Sequence, residues 1–274
     1  MKKIYSLAAL VIAATAFTAC NSDTELAPEK GYGYLSLDGV TTEDVVITRA
    51  DPVPTQVSNI SSWDVTVTAK NATTGYTCKA DKLTEQAFEA NDEKNPYTVT
   101  ARNYADLATA LSTNSNWGDA YYTGSTSVNV VKGKTTPITI ACGKAQNARL
   151  SVTFDKSFTD VAYEVSGETN QPSYSLKATQ SGRNDLTFNS TTTGKYAYYE
   201  SGSTVNYSLS YKFNGADRDP ITGSVTLGAN GTQKNINIML NSNGKLSLTI
   251  TTVDFTDENA KDITIDGATG NEAE

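Results

Sequence analysis

Apolar side chains recur at every second position along most of this chain, with Thr, Ser, Asn or charged residues between them. Trp63, Val65 and Val67 alternate with polar residues, and the longest run of this kind spans 205–213. Alternation with a period of two is typical of strands that bury one face. Many short runs separated by turn residues predict an antiparallel sandwich architecture.

Turn residues mark the connections between these runs. Asn214-Gly215 follows the run at 205–213, and Asn243-Gly244 separates two further runs. Asn-Gly between alternating segments predicts a hairpin, because a type I′ turn needs positive φ at both central residues. Lys132-Gly133-Lys134 predicts another hairpin, between strands that begin near Ser127 and end at Cys142.

Helical periodicity is scarce. Leu107 and Leu111 share a helical face within 105–111, and Asn103 is the candidate cap; 82–90 is a second candidate. We therefore expect an all-β chain with at most one or two short helices.

Three strand starts resemble one another, which indicates an internal repeat. Residues 34–37, 149–152 and 245–248 read Tyr-Leu-Ser-Leu, Arg-Leu-Ser-Val and Lys-Leu-Ser-Leu. Their spacings, 115 residues from Leu35 to Leu150 and 96 from Leu150 to Leu246, are each the length of one sandwich domain.

The repeat predicts two tandem β-sandwich domains, at 31–145 and 146–254. The third copy would close the second domain as an added strand, and 255–274 would form a partly flexible C-terminal segment that ends in acidic residues.

The first twenty residues predict an address outside the cytoplasm. Lys2 and Lys3 precede an apolar run at 7–14, and small residues lead to Cys20. This order is that of a secretory signal peptide, here 1–19. Thr-Ala-Cys resembles a bacterial lipobox, which makes Cys20 the candidate lipidation site at the head of an acidic tether, 20–30. An ordinary cleaved signal with a chance cysteine is the alternative.

Charge narrows the choice of partners. The formal net charge is −8, and without Lys2 and Lys3 the 22 basic residues become 20 against 30 acidic ones, or −10. An acidic surface argues against nucleic acid as a partner. It suits a soluble ectodomain held off a negatively charged cell surface.

The candidate chemistry does not favour an enzyme. The chain has no histidine, which removes the commonest general base and metal ligand. Asp217 and Asp219 lie in a predicted turn, and Asp254, Asp257 and Glu258 form an acidic cluster without the alternation of a calcium loop. We predict no catalytic residue, no metal and no cofactor.

Two cysteines remain in the predicted domains. Cys78 and Cys142 each lie on the same face of an alternating segment as its apolar residues, so both are expected to point inward. An oxidising compartment permits a disulfide between them. Two separate buried thiols are the alternative, and the sequence leaves both open.

Aromatic residues supply the candidate ligand contacts, since the chain has 15 Tyr against 7 Phe and 2 Trp. Exposed rings beside Asn and Asp suit sugars, whose apolar faces stack on rings while amides bind hydroxyls. Rings of this kind are also common in strands and at rims. The candidates form two clusters: Trp117, Tyr121 and Tyr122, and Tyr196, Tyr198 and Tyr199.

Several motifs recur together in one known setting. Besides the lipobox, they are Gly33–Leu37 (GYLSL), Thr48-Arg49-Ala50, 96–101 (PYTVTA), 121–124 (YYTG), 132–136 (KGKTT) and 138–142 (ITIAC). In these motifs the chain resembles the fimbrillin-like, type V pilin-related surface lipoproteins of Bacteroidetes, in a branch known as a domain of unknown function.

The resemblance implies two transthyretin- or immunoglobulin-like antiparallel domains in an outer-membrane lipoprotein. Its partners would be other pilus subunits, host or bacterial surface proteins, or glycans. The resemblance also implies Arg-specific cleavage between Arg49 and Ala50, which would release the strand at 33–47 and open a groove for a strand of the next subunit. Two alternatives remain: 31–49 stays as a permanent edge strand, or the protein binds surface glycans outside any pilus.

Overall fold

The computed structural model describes residues 31–43, 54–162, 174–213, 216–240, 246–253 and 263–265. The signal segment, Cys20, the tether, Arg49, Ala50 and the acidic cluster at 254–258 lie outside these residues. The predictions made for them therefore stay predictions.

Strands dominate both halves of the described chain. The first half consists of β1 (Tyr32–Glu43), β2 (Thr55–Gln56), β3 (Asp64–Thr68), β4 (Tyr76–Lys79), a 3₁₀ helix (Ala80–Glu85), β5 (Ala87–Glu89), β6 (Tyr97–Arg102), α1 (Leu107–Ser112), a 3₁₀ turn (Asn114–Asn116), β7 (Thr123–Val128) and β8 (Thr135–Lys144). The second half consists of β9 (Asn147–Phe154), α2 (Lys156–Ala162), β10 (Tyr174–Thr179), β11 (Leu186–Phe188), a 3₁₀ turn (Ser190–Thr192), β12 (Ala197–Glu200), β13 (Thr204–Phe213), β14 (Ala216–Asp217), β15 (Ile221–Thr226), β16 (Gln233–Leu240), β17 (Leu246–Val253) and β18 (Ile263–Ile265).

In the first half, β1 is an inner strand of its sheet. Tyr34 pairs with Ala87 of β5 and with Thr135 of β8. Thr41 likewise pairs with Gln56 of β2 and with Ala141 of β8. A residue can pair with two strands only across its two edges, so β8 lies on one edge of β1 while β2 and β5 lie on the other. The alternative of an edge strand is therefore wrong for 32–43.

The remaining strands of the first half form a second sheet in the order β4-β3-β6-β7, with antiparallel pairs. In the second half one sheet has the order β12-β9-β16-β17-β18, and the other joins β11, β10, β13, β14 and β15. In each half, one sheet contains the first and the last strand, and the other sheet has antiparallel pairs throughout.

The two halves share one pattern of strand pairing and hydrogen bonds. β1 runs parallel to β8, and β9 runs parallel to β16. The turns before β8 and β16 bond to β1 and β9 in the same way: Gly133 N donates to Tyr32 O at 2.8 Å, and Gly231 N donates to Asn147 O at 2.9 Å. The repeat seen in the sequence is therefore a repeat of topology.

Each half has its own buried apolar cluster. Leu35, Val65, Val99 and Ile140 are fully buried in the first, and Leu150, Leu176, Leu209 and Ile236 in the second. The prediction of all-β sandwiches with few short helices is confirmed. Because the residues from Gly31 onward fall into one compact unit, the division into domains at 31–145 and 146–254 stays a prediction.

Two hairpins are confirmed and one is wrong. β13 pairs with β14 across Asn214-Gly215, and β16 pairs with β17 across the loop that contains Asn243-Gly244. Gly133 does turn the chain, with φ of 70°. However, β7 pairs with β6 in one sheet and β8 with β1 in the other, because the last strand crosses the sandwich to reach the first.

The helix predicted at 105–111 exists as α1, but its cap is not Asn103. The Asp106 carboxylate accepts a bond from Thr109 N at 2.7 Å and so satisfies one free amide of the first turn. The second candidate, 82–90, is divided between a 3₁₀ helix and β5. Neither α1 nor α2, nor any other described helix, is long and apolar enough to cross a membrane.

Candidate functional site

The segment between β6 and β7, residues 103–122, leaves the first half and packs on the second; we call it the crossing segment. Trp117 lies edge-on against Phe188 of the second core, with ring centroids 5.0 Å apart. Tyr198 N donates to Trp117 O at 2.8 Å, and Asn147 Oδ1 accepts from Tyr121 N at 3.1 Å. The segment thereby joins the two halves.

The backbone before Trp117 is left-handed. Asn114, Ser115 and Asn116 have φ of 52°, 57° and 71°. Asn enters this region more readily than other non-glycine residues, yet a run of three such residues is costly. Backbone strain of this kind persists only where surrounding contacts fix it, and it is concentrated at functional positions.

Arg183 supplies one of those contacts from the turn between β10 and β11. Its guanidinium donates to Leu111 O and Asn116 O at 2.8 Å each, and also to Tyr198 O. The same group lies 4.7 Å from the centre of the Tyr199 ring. Burial lowers the pKa of Arg183, but a guanidinium stays charged at neutral pH. Arg183 therefore clamps the crossing segment to the second half.

A groove of about 390 Å³ opens between the crossing segment and the loop before β12; we call it the aromatic groove. Among its lining residues are Asn114, Trp117, Asp119, Lys195, Tyr196 and Tyr198. Lys195 Nζ lies 5.3 Å from the centre of the Trp117 ring, and the Arg149 guanidinium lies 4.1 Å from the centre of the Tyr196 ring. Both are cation–π contacts that hold the rings in place.

Asp119 is the acidic residue of the groove, and it is already engaged. Its Oδ2 accepts a bond from the Tyr104 hydroxyl at 2.7 Å, and its Oδ1 accepts from Ala120 N at 2.7 Å. Burial and the contact with Asp119 raise the pKa of Tyr104 to about 12. At neutral pH the Tyr104 hydroxyl therefore stays protonated, and its bond to Asp119 is fixed in geometry. Such a pair suits a structural role better than proton transfer.

A second cleft, of about 370 Å³, lies beside Arg183 and is lined mainly by polar residues, including Gln180, Asn184 and Glu200. The aromatic groove and this cleft offer ring faces, amides and charges for contact. Within the described ranges no group of three or more Cys, Asp or Glu residues could hold a metal ion.

The structure brings the two predicted aromatic clusters together, but only in part. Trp117, Tyr196 and Tyr198 line the aromatic groove. Tyr122 packs instead against the first core, and Tyr121 is not among the lining residues. Tyr199 is only 2% exposed, because its position on β12 points into the second core. Burial removes Tyr199 from the candidate contact surface.

Both remaining cysteines are free thiols in the structure. Cys142 is buried, and burial raises its pKa to about 11. Cys78 is half-buried, and burial, followed by the charge of Asp81, raises its pKa. A protonated thiol is a poor nucleophile. Of the two arrangements that the sequence left open, the structure has the separate thiols.

The second candidate site is the position of β1 itself, between β8 and the pair β2 and β5; we call it the β1 slot. Leu35 and Val40 are fully buried there. Gly33, near the start of the strand, and Gly39, directly before Val40, are buried as well. On the opposite face Tyr32 and Tyr34 are 62% and 41% exposed. The slot therefore buries one face of the strand that fills it and leaves the other face exposed.

Arg183 and Lys195 were missed by sequence reasoning. Both lie in turns rich in Gly and polar residues, where a charge is usually solvated. Their contacts join residues far apart in the chain, and nothing in the local pattern indicates such pairing.

The described strands define an all-β protein whose sheets pack as sandwiches. The chain belongs to the family described as Domain of unknown function (DUF4493), which it matches over residues 31–267. No curated protein matches the sequence significantly.

The solved structures that match most of this chain share little sequence with it. A fimbrial assembly protein from Parabacteroides distasonis is 13% identical with a TM-score of 0.45, over 86% of this chain and 99% of that one. The TIE protein of Bacillus anthracis is 11% identical with a TM-score of 0.25, over 86% and 48%. A C-terminal fragment of the pilus adhesin SpaC from Lactobacillus rhamnosus GG is 10% identical with a TM-score of 0.22, over 80% and 86%.

Proposed function

We propose that this chain is a non-enzymatic, lipid-anchored surface protein that assembles with other pilus subunits by exchange of β1. The observation that carries the proposal is the inner position of β1, which has backbone partners on both edges. Its loss would leave unpaired N–H and C=O groups on β2, β5 and β8 and an apolar gap where Leu35 and Val40 lie. A strand from a neighbouring subunit would restore both.

Of the two strands that begin the halves, β1 and β9, β1 is the easier to withdraw. Its pairing with β8 shifts register between Leu37 and Gly39 and again between Thr41 and Thr42. The equivalent pairing of β9 with β16 runs without a shift. Side chains tie that second pair together as well: Arg149 Nε donates to Gln233 Oε1 at 2.8 Å. We therefore assign exchange to the first half and permanent closure to the second.

Cleavage between Arg49 and Ala50 is expected to convert a monomer into oligomers. The experiment uses the full chain with Arg218→Lys, because Arg218 is exposed and would offer the protease a second cleavage site. After treatment with an Arg-specific protease, we expect size-exclusion chromatography to show higher assemblies. An excess of a peptide with the sequence of 31–43 should refill the slot and keep the chain monomeric.

The matched control is the Arg49→Lys, Arg218→Lys double variant, which should stay uncut and monomeric. Strand exchange is contradicted if the folded chain resists the protease at Arg49, or if the cut chain stays monomeric without added peptide.

Glycan binding at the aromatic groove is the second candidate function. The observation that favours it is the meeting of Trp117, Tyr196 and Tyr198 beside Asn114 in one groove. Ring faces stack on the apolar faces of sugars, while amides and the Lys195 ammonium bind hydroxyl or acid groups. This function needs neither cleavage nor a second subunit.

Tyr196→Ala is expected to weaken glycan binding at least about fivefold, the loss expected for one stacking contact. Affinity electrophoresis in a panel of soluble polysaccharides measures the effect. Tyr34→Ala is the control, because Tyr34 is an exposed tyrosine of β1 that does not line the groove. Equal retardation of both variants and the unchanged chain, or no retardation by any polysaccharide, argues against the groove as a sugar site.

A further inference from the structure

Gly33 lies under the turn that joins β7 to β8. A methyl group added at Gly33 would overlap the carbonyl oxygen of Val131 and would lie 3.0 Å from the carbonyl oxygen of Lys134. Both obstacles are backbone atoms, which cannot rotate away as the end of a side chain could. Gly39, in the same strand, differs: a methyl group there would find its nearest neighbour, Gln56 Nε2, at 3.4 Å.

The obstructing turn is held from several sides. Lys134 N donates to Val131 O at 3.1 Å, which keeps that carbonyl in place. Gly133 N donates to Tyr32 O and Lys134 O accepts from Tyr34 N, each at 2.8 Å. Asn91 N donates to Val130 O at 3.1 Å, and Asn91 Oδ1 accepts from Val130 N. A strand that needs more room at Gly33 would have to break this set of bonds.

The second half shows that the same hydrogen bonds do not by themselves require glycine. There Gly231 N donates to Asn147 O, and Thr232 O accepts from Arg149 N at 3.0 Å. The residue between them is Ala148, which is 1% exposed. Its methyl group is accommodated under the equivalent turn. The tighter approach at Gly33 is therefore particular to the first half.

We infer that the β1 slot selects its occupant by backbone sterics: it accepts an extended segment that has glycine at the position of Gly33 and a large aliphatic residue two positions later. This inference rests on the proposed strand exchange. It defines the partner as a strand with the pattern glycine, any residue, Leu or Ile, and it excludes strands with alanine at the first of these positions.

Peptide entry into the cleaved chain tests the selection. The Arg218→Lys full chain is cut at Arg49 and mixed with fluorescent peptides that carry the sequence of 31–43, and uptake is followed by anisotropy. The unchanged peptide and its Gly39→Ala form should enter with similar affinity. The Gly33→Ala form should bind at least tenfold more weakly. Equal binding of the Gly33→Ala and Gly39→Ala peptides would overturn the selection while leaving strand exchange intact.

If not even the unchanged peptide enters, strand exchange itself fails, and selection of a partner fails with it. The steric claim has its own readout in the uncut chain. Gly33→Ala should lower the urea midpoint of unfolding clearly more than Gly39→Ala does, because both glycines have extended backbones and only the first lacks space. Equal midpoints would overturn the claim even where peptides discriminate.

Discussion

Replacing Leu35 by alanine is expected to lower the free energy of unfolding by about 2–5 kcal/mol, the range for a buried leucine whose site cannot collapse. Leu35 is fully buried in the first core, and its strand has partners on both edges. Neighbouring side chains therefore have little freedom to fill the space. Urea unfolding of the full chain, followed by fluorescence, measures the loss.

Tyr34→Ala is the matched control. Tyr34 is adjacent in the same strand but is 41% exposed, so its truncation should cost at most about 1 kcal/mol. Similar losses at the two positions would mean that β1 does not present its Leu35 face to the core.

The same substitution has a larger consequence for the cleaved chain. There β1 is held without a covalent link, so a loss of 2 kcal/mol corresponds to a roughly 30-fold weaker hold. A Leu35→Ala chain cut at Arg49 should therefore release its strand, and assemble, faster than the unchanged chain. Stability of the uncut chain and readiness to assemble are expected to change in opposite directions.

Local patterns were sufficient to predict the strands and the fold class. Val65 and Val67 face the core because alternation with a period of two is a property of a single strand. The Asn214-Gly215 hairpin could be predicted for a similar reason, since the turn and its two strands are adjacent in sequence. These elements depend on interactions within a few residues.

Pairing between distant strands could not be predicted in this way. The turn at Gly133 was correctly located, yet β8 leaves it to join β1 in parallel rather than β7 in a hairpin. The sequence repeat at Leu35 and Leu150 marks both first strands. It carries no sign that β1 pairs with β8 and β9 with β16, because parallel partners need a crossover rather than a turn.

The aromatic groove shows the same limit. Composition and spacing identified Trp117 and Tyr196 separately, and only the crossing segment places them together. The structure shows which ring of β12 faces inward: Ala197 and Tyr199 are buried and Tyr198 between them is not. Alternation along a strand implies that Tyr198 and Tyr199 face opposite sides, but only the structure shows that Tyr199 is the buried one. The role of Arg183 could not have been found from the sequence at all.

Arg183 should be the residue that holds the crossing segment in place. Its guanidinium spans three carbonyl oxygens that belong to Leu111, Asn116 and Tyr198. Bonds from a charged donor are stronger than neutral ones, and their removal leaves the carbonyls without that partner. We expect Arg183→Ala to lower the free energy of unfolding by about 2 kcal/mol, less than full burial would give because the side chain is only half-buried.

Arg183→Lys should recover little of this loss, because an ammonium is a compact charge and cannot span three separated acceptors as a planar guanidinium does. Lys177→Ala is the control for charge: its ammonium pairs with Asp185 at 2.6 Å, but both side chains are about half exposed, and such surface pairs contribute about 0–1 kcal/mol. Hydrogen exchange localises the effect. In Arg183→Ala the amides of 111–118 should exchange faster while those of β9 keep their protection.

Unchanged exchange in 111–118 would mean that the other contacts, among them Trp117–Phe188 and the bond from Tyr198 N to Trp117 O, fix the segment without Arg183. A loss of protection spread over both halves would instead mean that Arg183 stabilises the second core rather than the connection. Only a local loss supports the clamp. In that case Arg183→Ala should also weaken any ligand of the aromatic groove, since the left-handed turn that presents Trp117 depends on the bond to Asn116 O.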